Sequence, residues 1–247
     1  METDSLGNRM KAYEEVNLHH LTRRMPLVIR VDGKAFHTFT RKNGFEKPFD
    51  KNFMTAMLVG VGRELIGEIQ GSKLAYVQSD EISVLATDYE NLDTQAWFEK
   101  NLQKMVSVSA SVATACFNVY WDVNRIPISE YGLFDSRAFV LPKEEVCNYF
   151  IWRQKDAVRN SIQGLGQANF SHKEMAGLNN DQVQEKLFQE KGINWNDLDV
   201  WKKRGACLYK NQVDKNINGC DVLRTEVVAD WEIPIFTQDR DYVEKWV

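Results

Sequence analysis

The sequence is poor in the features that mark several protein classes. Its four cysteines, Cys116, Cys147, Cys207 and Cys220, form no CxxC pair and no dense framework in 247 residues. That argues against a secreted disulfide scaffold and for a reducing cytoplasm. No apolar run approaches the length needed to span a bilayer, and the opening METDSLGNRMKAYEE lacks an apolar signal core. A cytoplasmic, soluble chain with no membrane partner is expected. Positive charge is not in excess: the net charge is −4 and the pI about 5.7. Charge alone therefore makes no global case for nucleic-acid binding, and Arg23-Arg24 and Lys202-Lys203-Arg204 read first as solvated surface. His19, His20, His37 and His172 have no zinc-type spacing with cysteine. GxxxxGK[ST], internal repeats, low-complexity tracts and linkers are also missing.

What is present is ordinary globular composition, 43% hydrophobic and 27% charged, with length for one large domain or two small ones. Residues 27–32, LVIRVD, form a first β-prone run. DKNFMTAMLVGVGRELIGEIQG (50–71) then carries Phe53, Met54, Met57, Leu58, Val61, Leu65, Ile66 and Ile69 at helical steps. Asp50 is placed to cap that helix and Gly71 to end it. KLAYV and ISVLAT follow as short strands about QSDE, then a long helix over about 94–120 with small residues along it, then the strand RAFVL (137–141). The order β-α-β-β-α-β predicts an α+β, ferredoxin-like split βαβ core over residues 1–142. Helices are expected at about 143–168, 172–176 and 180–191. β-like runs at 206–211 and 221–228 and a terminal helix complete a second part, 143–247, packed on the core as one unit.

In this topology the first and third strands are antiparallel neighbours. Asp32, ending the first, should meet Asp80 and Glu81, just before the third. Carboxylates so close repel unless a cation lies between them, and oxygen donors of this kind suit Mg²⁺. The bland alternative is a turn at each place, since Asp-Gly and Ser-Asp-Glu are common turn sequences. Gly33 allows a tight turn and close approach to a ligand. The GKAFH backbone could form an anion-binding nest, with Lys34 adding charge.

Taken together, IRVDGKAFHTF, FEKPFD, LAYVQSDEIS, FDSRAF (134–139) and WRQKDAVRN (152–160) resemble the tRNA-His guanylyltransferase superfamily in order and spacing, over about residues 6–210. The resemblance implies a polymerase-palm-type core and nucleotide addition to the 5′ end of tRNA. A nucleoside triphosphate would activate the RNA 5′-monophosphate, and the 3′-hydroxyl of an incoming nucleotide would then attack it. By the same resemblance Asp32, the Gly33 carbonyl and Asp80 match ligands of two Mg²⁺ ions, with Glu81 a supporting or ligand candidate. The backbone of Gly33, Lys34, Ala35, Phe36 and His37, with Ser79 and Lys104, matches triphosphate-binding positions, and Lys47 and Asp50 match positions near the activating nucleotide, ATP or GTP. Lys202, Lys203 and Arg204 resemble a basic run near the RNA-binding region, where phosphate contacts position RNA without reading it. Family precedent and the long apolar helices suggest a homo-oligomer, a tetramer.

The chain also departs from the eukaryotic pattern. Val158-Arg159-Asn160 stands where a His-Ile-Asn run is usual, Asn101 near a usual arginine, and Val183-Gln184 where a lysine is expected. These departures resemble the guanylyltransferase-like branch of bacteria, archaea and phages, which implies templated repair of a truncated tRNA 5′ end. Arg159 and Asn160 remain candidate tRNA contacts. Arg153 and Arg159 lie six residues apart, about 600° around a helix, and are expected on different faces. The seven tryptophans are expected mostly in packing. A nucleotide cyclase, a metal-dependent phosphatase or nuclease, and an inactive RNA-binding palm are the competing functions. The last should have lost a metal ligand, yet Asp32, Gly33 and Asp80 are all present.

Overall fold

The computed structural model describes residues 5–217 and 220–247. α1 (Ser5–Glu15) buries none of its residues. β1 (Leu27–Gly33) alternates faces: Leu27, Ile29 and Val31 enter one apolar cluster and Val28 another, the period of two that a sheet buried on both sides requires. α2 (Phe36–Lys42) follows directly.

The single helix expected over 50–71 is three pieces: α3 (Lys51–Thr55), a π-helical stretch (Ala56–Gly62) and α4 (Arg63–Glu68). The wide turn coincides with two glycines. A Cβ on Gly62 would stand 2.5 Å from Leu208, and one on Gly60 3.1 Å from the Tyr120 ring. Bare backbone there lets neighbouring side chains close onto the helix.

β2 (Ser72–Gln78) and β3 (Glu81–Ala86) form the expected hairpin. The next helix, α5 (Leu102–Val123), begins later than the expected residue 94 because a tight turn, Trp97–Lys100, precedes it. Phe98, Glu99 and Lys100 all have left-handed backbone, φ 48°, 51° and 59°. The bend buries the Lys100 ammonium, which donates to Asp88 at 3.0 Å and to the Thr22 and Met25 carbonyls. A buried charge tolerates no less. β4 (Phe134–Val140) starts before the expected residue 137, drawn by Phe134, whose ring packs 4.9 Å from that of Phe36 and 5.3 Å from that of Phe117.

α6 (Lys143–Asn169), α7 (His172–Met175), α8 (Asn180–Lys191), α9 (Val200–Arg204), β5 (Ala206–Ile217), β6 (Cys220–Asp230) and α10 (Asp241–Glu244) complete the chain. The six strands form one antiparallel sheet in the order β4-β1-β3-β2-β5-β6. The α3–α4 segment and α5 cover one face, and α6 with the C-terminal segment covers the other. β5 joins β2 only over Ala206–Tyr209, and beyond that it pairs with β6 alone in a ribbon longer than the sequence pattern suggests. No helix of the described residues is long and apolar enough to cross a membrane.

Gly205 joins α9 to β5 with φ +80°, and a Cβ there would lie 2.3 Å from the Val77 carbonyl oxygen. Backbone cannot yield as a side chain does. Gly205→Ala is expected to cost roughly 2–4 kcal/mol of stability. Urea unfolding midpoints measure this, and an unchanged midpoint would refute the close approach of α9 to β2.

Candidate active site

The β2–β3 hairpin turns in two residues, Ser79 and Asp80, between the paired Gln78 and Glu81. Ser79 takes the left-handed conformation this needs, φ 49°. Asp32 sits opposite Glu81 on β3 and opposite Asp135 on β4, and cross-strand partners share a face. The Gly33 N–H donates to the Asp80 carbonyl at 3.1 Å, tying the end of β1 to the hairpin. Asp32, Asp80 and Glu81, distant in sequence, are thus brought to one end of the sheet.

The electrostatics follow. Burial, then the charges of Glu81 and Asp135, holds the Asp32 carboxyl above its usual range. Burial, then the Asp32 charge, pushes Asp80 up to about 6. Glu81 differs from both. Arg153 closes on it bidentately, Nε to Oε1 at 2.8 Å and Nη2 to Oε2 at 2.7 Å, and the Gln78 amide donates at 3.1 Å. Glu81 is an anchored supporting group, whereas the nearest cation to Asp32 is Arg137 at 3.8 Å. Asp32 and Asp80 are hard oxygen donors whose mutual repulsion a divalent cation would relieve, so they fit Mg²⁺.

Arg153 also donates to Asp156 at 2.9 Å, and Arg159 donates to that same carboxylate. Arg153 is buried and Arg159 exposed, as different faces require, yet the two are joined through that carboxylate. Each lies three residues from Asp156, and their long side chains reach back to it. Asn160 joins them at 3.4 Å.

The β1–α2 turn narrows the predicted nest. The Lys34 N–H is spent on the Leu133 carbonyl at 2.8 Å. Ala35 is left-handed, φ 57°. The amides of Ala35, Phe36 and His37 have no hydrogen-bond partner among the described residues. Phe36 offers only backbone, its ring being buried with Phe39, Phe53, Phe117 and Phe134. Gly33 is glycine for a reason the sequence hid: a Cβ there would lie 2.4 Å from the Phe36 ring.

Two cavities open at this end, sharing Pro48, Asp50, Phe53, Ser79, Asp80 and Gly164 as a common wall. One, of about 490 Å³, takes in His37 and Lys47. The other, of about 380 Å³, takes in Asp32, Glu81, Arg153, Asn160 and all of Lys202, Lys203 and Arg204. Asp50 caps α3 and also accepts from the Glu46 N–H at 3.0 Å, so one carboxylate shapes both the helix and the cavity wall.

Lys104 is not brought here. It is exposed in the first turn of α5, beside the Leu102 N–H that donates to the His19 carbonyl. α5 meets β4 near Asp32 further along, where Ser109 donates to the Ser136 hydroxyl and Thr114 accepts from the Phe134 N–H, roughly 8–15 Å along the helix from Lys104. Sequence reasoning gave no role to Asp156, Arg137, Phe49 or Trp201. Asp156 alone left a signal, its three-residue spacing from Arg153 and Arg159.

The sequence matches the tRNAHis guanylyltransferase (Thg1) family over residues 7–142. It is similar to a tRNA(His) guanylyltransferase of Schizosaccharomyces pombe, 31% identical over 83% of this chain and 80% of that protein. A probable tRNA(His) guanylyltransferase of Drosophila melanogaster is 30% identical over 76% and 68%. Among solved structures, a bacterial Thg1-like protein in complex with ATP superposes with TM-score 0.88 at 48% identity, over 99% of both chains. A bacterial Thg1-like protein in complex with GTP gives 0.83 at 48%, over 98% and 99%.

Two outcomes follow from the charges. Removing Arg153 leaves the buried Glu81 without its counter-charge, so Arg153→Leu is expected to cost about 3–5 kcal/mol, with only partial recovery in Arg153→Lys, which lacks the fork. Thermal unfolding of the three proteins checks the order. For Asp80, a folded-state value near 6 against the usual 3.8 means stability falls as pH rises through that interval and stays reduced above it. Asp80→Asn should therefore stabilise the chain in EDTA by about 2 kcal/mol at neutral pH, with no gain below about pH 4. Urea midpoints across pH measure it.

Proposed function

The chain belongs to the tRNAHis guanylyltransferase family, and from that premise we propose that it adds nucleotides to the 5′ end of tRNA in the 3′-to-5′ direction, guided by the opposite strand. The substrate is a tRNA with a truncated, 5′-monophosphorylated end. ATP or GTP activates that phosphate, and the 3′-hydroxyl of an incoming nucleoside triphosphate then attacks it. The observation that carries this reading is that Asp32, on the smaller cavity, is brought beside Asp80, on the wall that cavity shares with the larger one. A transfer between two phosphorylated partners needs two sites that share a reactive edge.

Asp32 and Asp80, with the Gly33 carbonyl, would hold two Mg²⁺ ions. Bound there, the ions would supply a lowered pKa for the attacking hydroxyl and charge stabilisation for each leaving group, pyrophosphate on activation and the activating nucleoside monophosphate on addition. Arg153 holds Glu81 and with it the register of the hairpin that presents Asp80. The unengaged amides of Ala35, Phe36 and His37 orient a triphosphate, as anions are bound by successive backbone N–H groups. Lys47, Asp50 and Ser79 line the larger cavity beside them, a fitting place for the activating nucleotide. Lys202, Lys203 and Arg204, with Asn160, hold the RNA backbone by charge and hydrogen bonding. ATP and GTP complexes of similar bacterial proteins support the nucleotide part of this reading.

Val158 in place of the usual histidine favours repair over strict guanosine addition to tRNA-His. The working form is proposed to be a homo-oligomer, a tetramer. In support, α1 buries nothing and exposes Met10 and Tyr13, and Val16 just after it is exposed too.

A tRNA transcript lacking its first 5′ nucleotide and carrying a 5′-monophosphate, incubated with the protein, Mg²⁺, ATP and labelled nucleotides, tests the proposal. Addition of the nucleotide complementary to the unpaired 3′ partner is expected. Addition only to full-length tRNA-His would restore strict guanylyltransferase activity, and addition to neither would overturn the polymerase reading. Asp32→Ala and Asp80→Ala are each expected to abolish addition with the fold intact by circular dichroism. Near-normal activity in either would remove that residue from the metal-ligand set.

A further inference from the structure

Trp201 stands on the wall of the 380 Å³ cavity, one residue before the basic run. It is held in place by Phe49, beside it on the wall, and by Lys51 and Trp231 behind it. The Phe49 ring meets it edge-on, with centroids 6.3 Å apart at 79°. The Lys51 ammonium lies 3.5 Å over Trp231 and 5.0 Å from the Trp201 ring, and the two indoles meet at 84°. A ring fixed this way costs little further ordering when a ligand lies against it.

Apart from Asp32 and Asp80 at its acidic edge, much of this cavity's polar wall is already engaged. Arg153 is committed to Glu81 and Asp156. The Ser161 hydroxyl donates to the Lys202 carbonyl at 2.7 Å and accepts from the Trp195 indole at 3.0 Å. The Gln78 amide is given to Glu81. Reading a base by its edges takes donors and acceptors left open for it. What the side of this cavity away from the carboxylates offers is the Trp201 ring beside the half-buried Lys202, Lys203 and Arg204. Of these, Lys202 also pairs with Asp199, and the other two donate to the Asn196 and Ile233 carbonyls.

Resting on the nucleotide-addition reading above, we propose that this cavity is a base-indifferent stacking site for the 5′-terminal nucleotide of the RNA, its base against Trp201 and its phosphates toward Lys202–Arg204. The triphosphate substrate belongs next door, where the Lys47 cavity adjoins the open amides of the β1–α2 turn. The shared wall at Asp80 brings the two together. The volume is that of a small-ligand pocket, about 300–1,000 Å³, suited to one nucleotide. Stacking tolerates any base, because every base has a π-face. Choice of nucleotide is thereby left to pairing with the opposite strand.

The test is steady-state addition to four truncated transcripts whose 5′-monophosphorylated end is A, C, G or U, with wild type, Trp201→Ala, Trp201→Phe and Trp201→Leu. Trp201→Ala is expected to raise KM for RNA roughly tenfold or more, about equally for the four ends, with KM for ATP unchanged. Trp201→Phe should keep most of the wild-type value and Trp201→Leu should behave like the alanine variant. Recovery in Trp201→Leu would assign Trp201 to packing alone. A rise in KM for ATP instead would give the cavity to the triphosphate, and an effect on one terminal base only would mean that edges are read. Each of these overturns the proposal, as does an unchanged KM in Trp201→Ala. A wild-type chain that adds no nucleotide to any transcript would refute the addition reading. Filter binding of the same transcripts to wild type and Trp201→Ala would still decide the stacking site.

Discussion

Four carboxylates crowd one end of this sheet, and the Arg153 guanidinium makes that crowding tolerable. Asp32, Asp80, Glu81 and Asp135 are brought close by strand register and a two-residue turn, none of which can be relaxed without unpairing β1, β3 or β4. Were all four left bare, their repulsion would oppose the very pairing that collects them. Arg153 gives Glu81 a counter-charge and, on α6 itself, fastens that helix across the mouth of the site. The repulsion that remains falls on Asp32, which still feels Glu81 and Asp135, and on Asp80, which feels Asp32, and a divalent cation would relieve it. The separation of roles between Asp80 and Glu81, adjacent in sequence, is thus set by which of them a helix on the far side of the sheet can reach.

The two cavities inherit their difference from the elements that wall them. The larger is built by the β1–α2 turn and the loop that Asp50 clips, which offer backbone N–H groups. The smaller is built by α6 and α9, which offer rings and cations. Both lean on the aromatic cluster of Phe36, Phe53 and Phe117, so the turn that would cradle phosphate is fixed by the same packing that fills the core.

Much of this was legible in the sequence because it follows from connectivity. A β-α-β-β-α-β order makes the first and third strands neighbours, and that alone brings Asp32 to the Ser79-Asp80 turn. Other parts depend on terms a sequence does not display. The partner of Glu81 is decided by how α6 is rotated on the sheet. Arg153 and Arg159 were separated by angular reasoning from backbone positions, yet side chains several bonds long meet on a carboxylate midway. Residues 98–100 left no trace in helical periodicity, since their left-handed backbone is imposed by the buried Lys100–Asp88 pair. Lys104 was assigned by resemblance, and resemblance carries no information about how far along α5 a position lies from the site.

Gly205 has a mechanical consequence. Its backbone presses on the Val77 carbonyl, and the neighbouring Tyr76 hydroxyl donates to the Arg204 carbonyl at 2.7 Å. The basic segment and the Asp80 turn therefore hang from the same short length of β2, one on each side of a few residues. No hinge or sliding surface separates them, and neither can travel without tearing the β2–β5 ladder. A molecule jointed like this keeps one fixed spacing between its basic segment and its acidic turn.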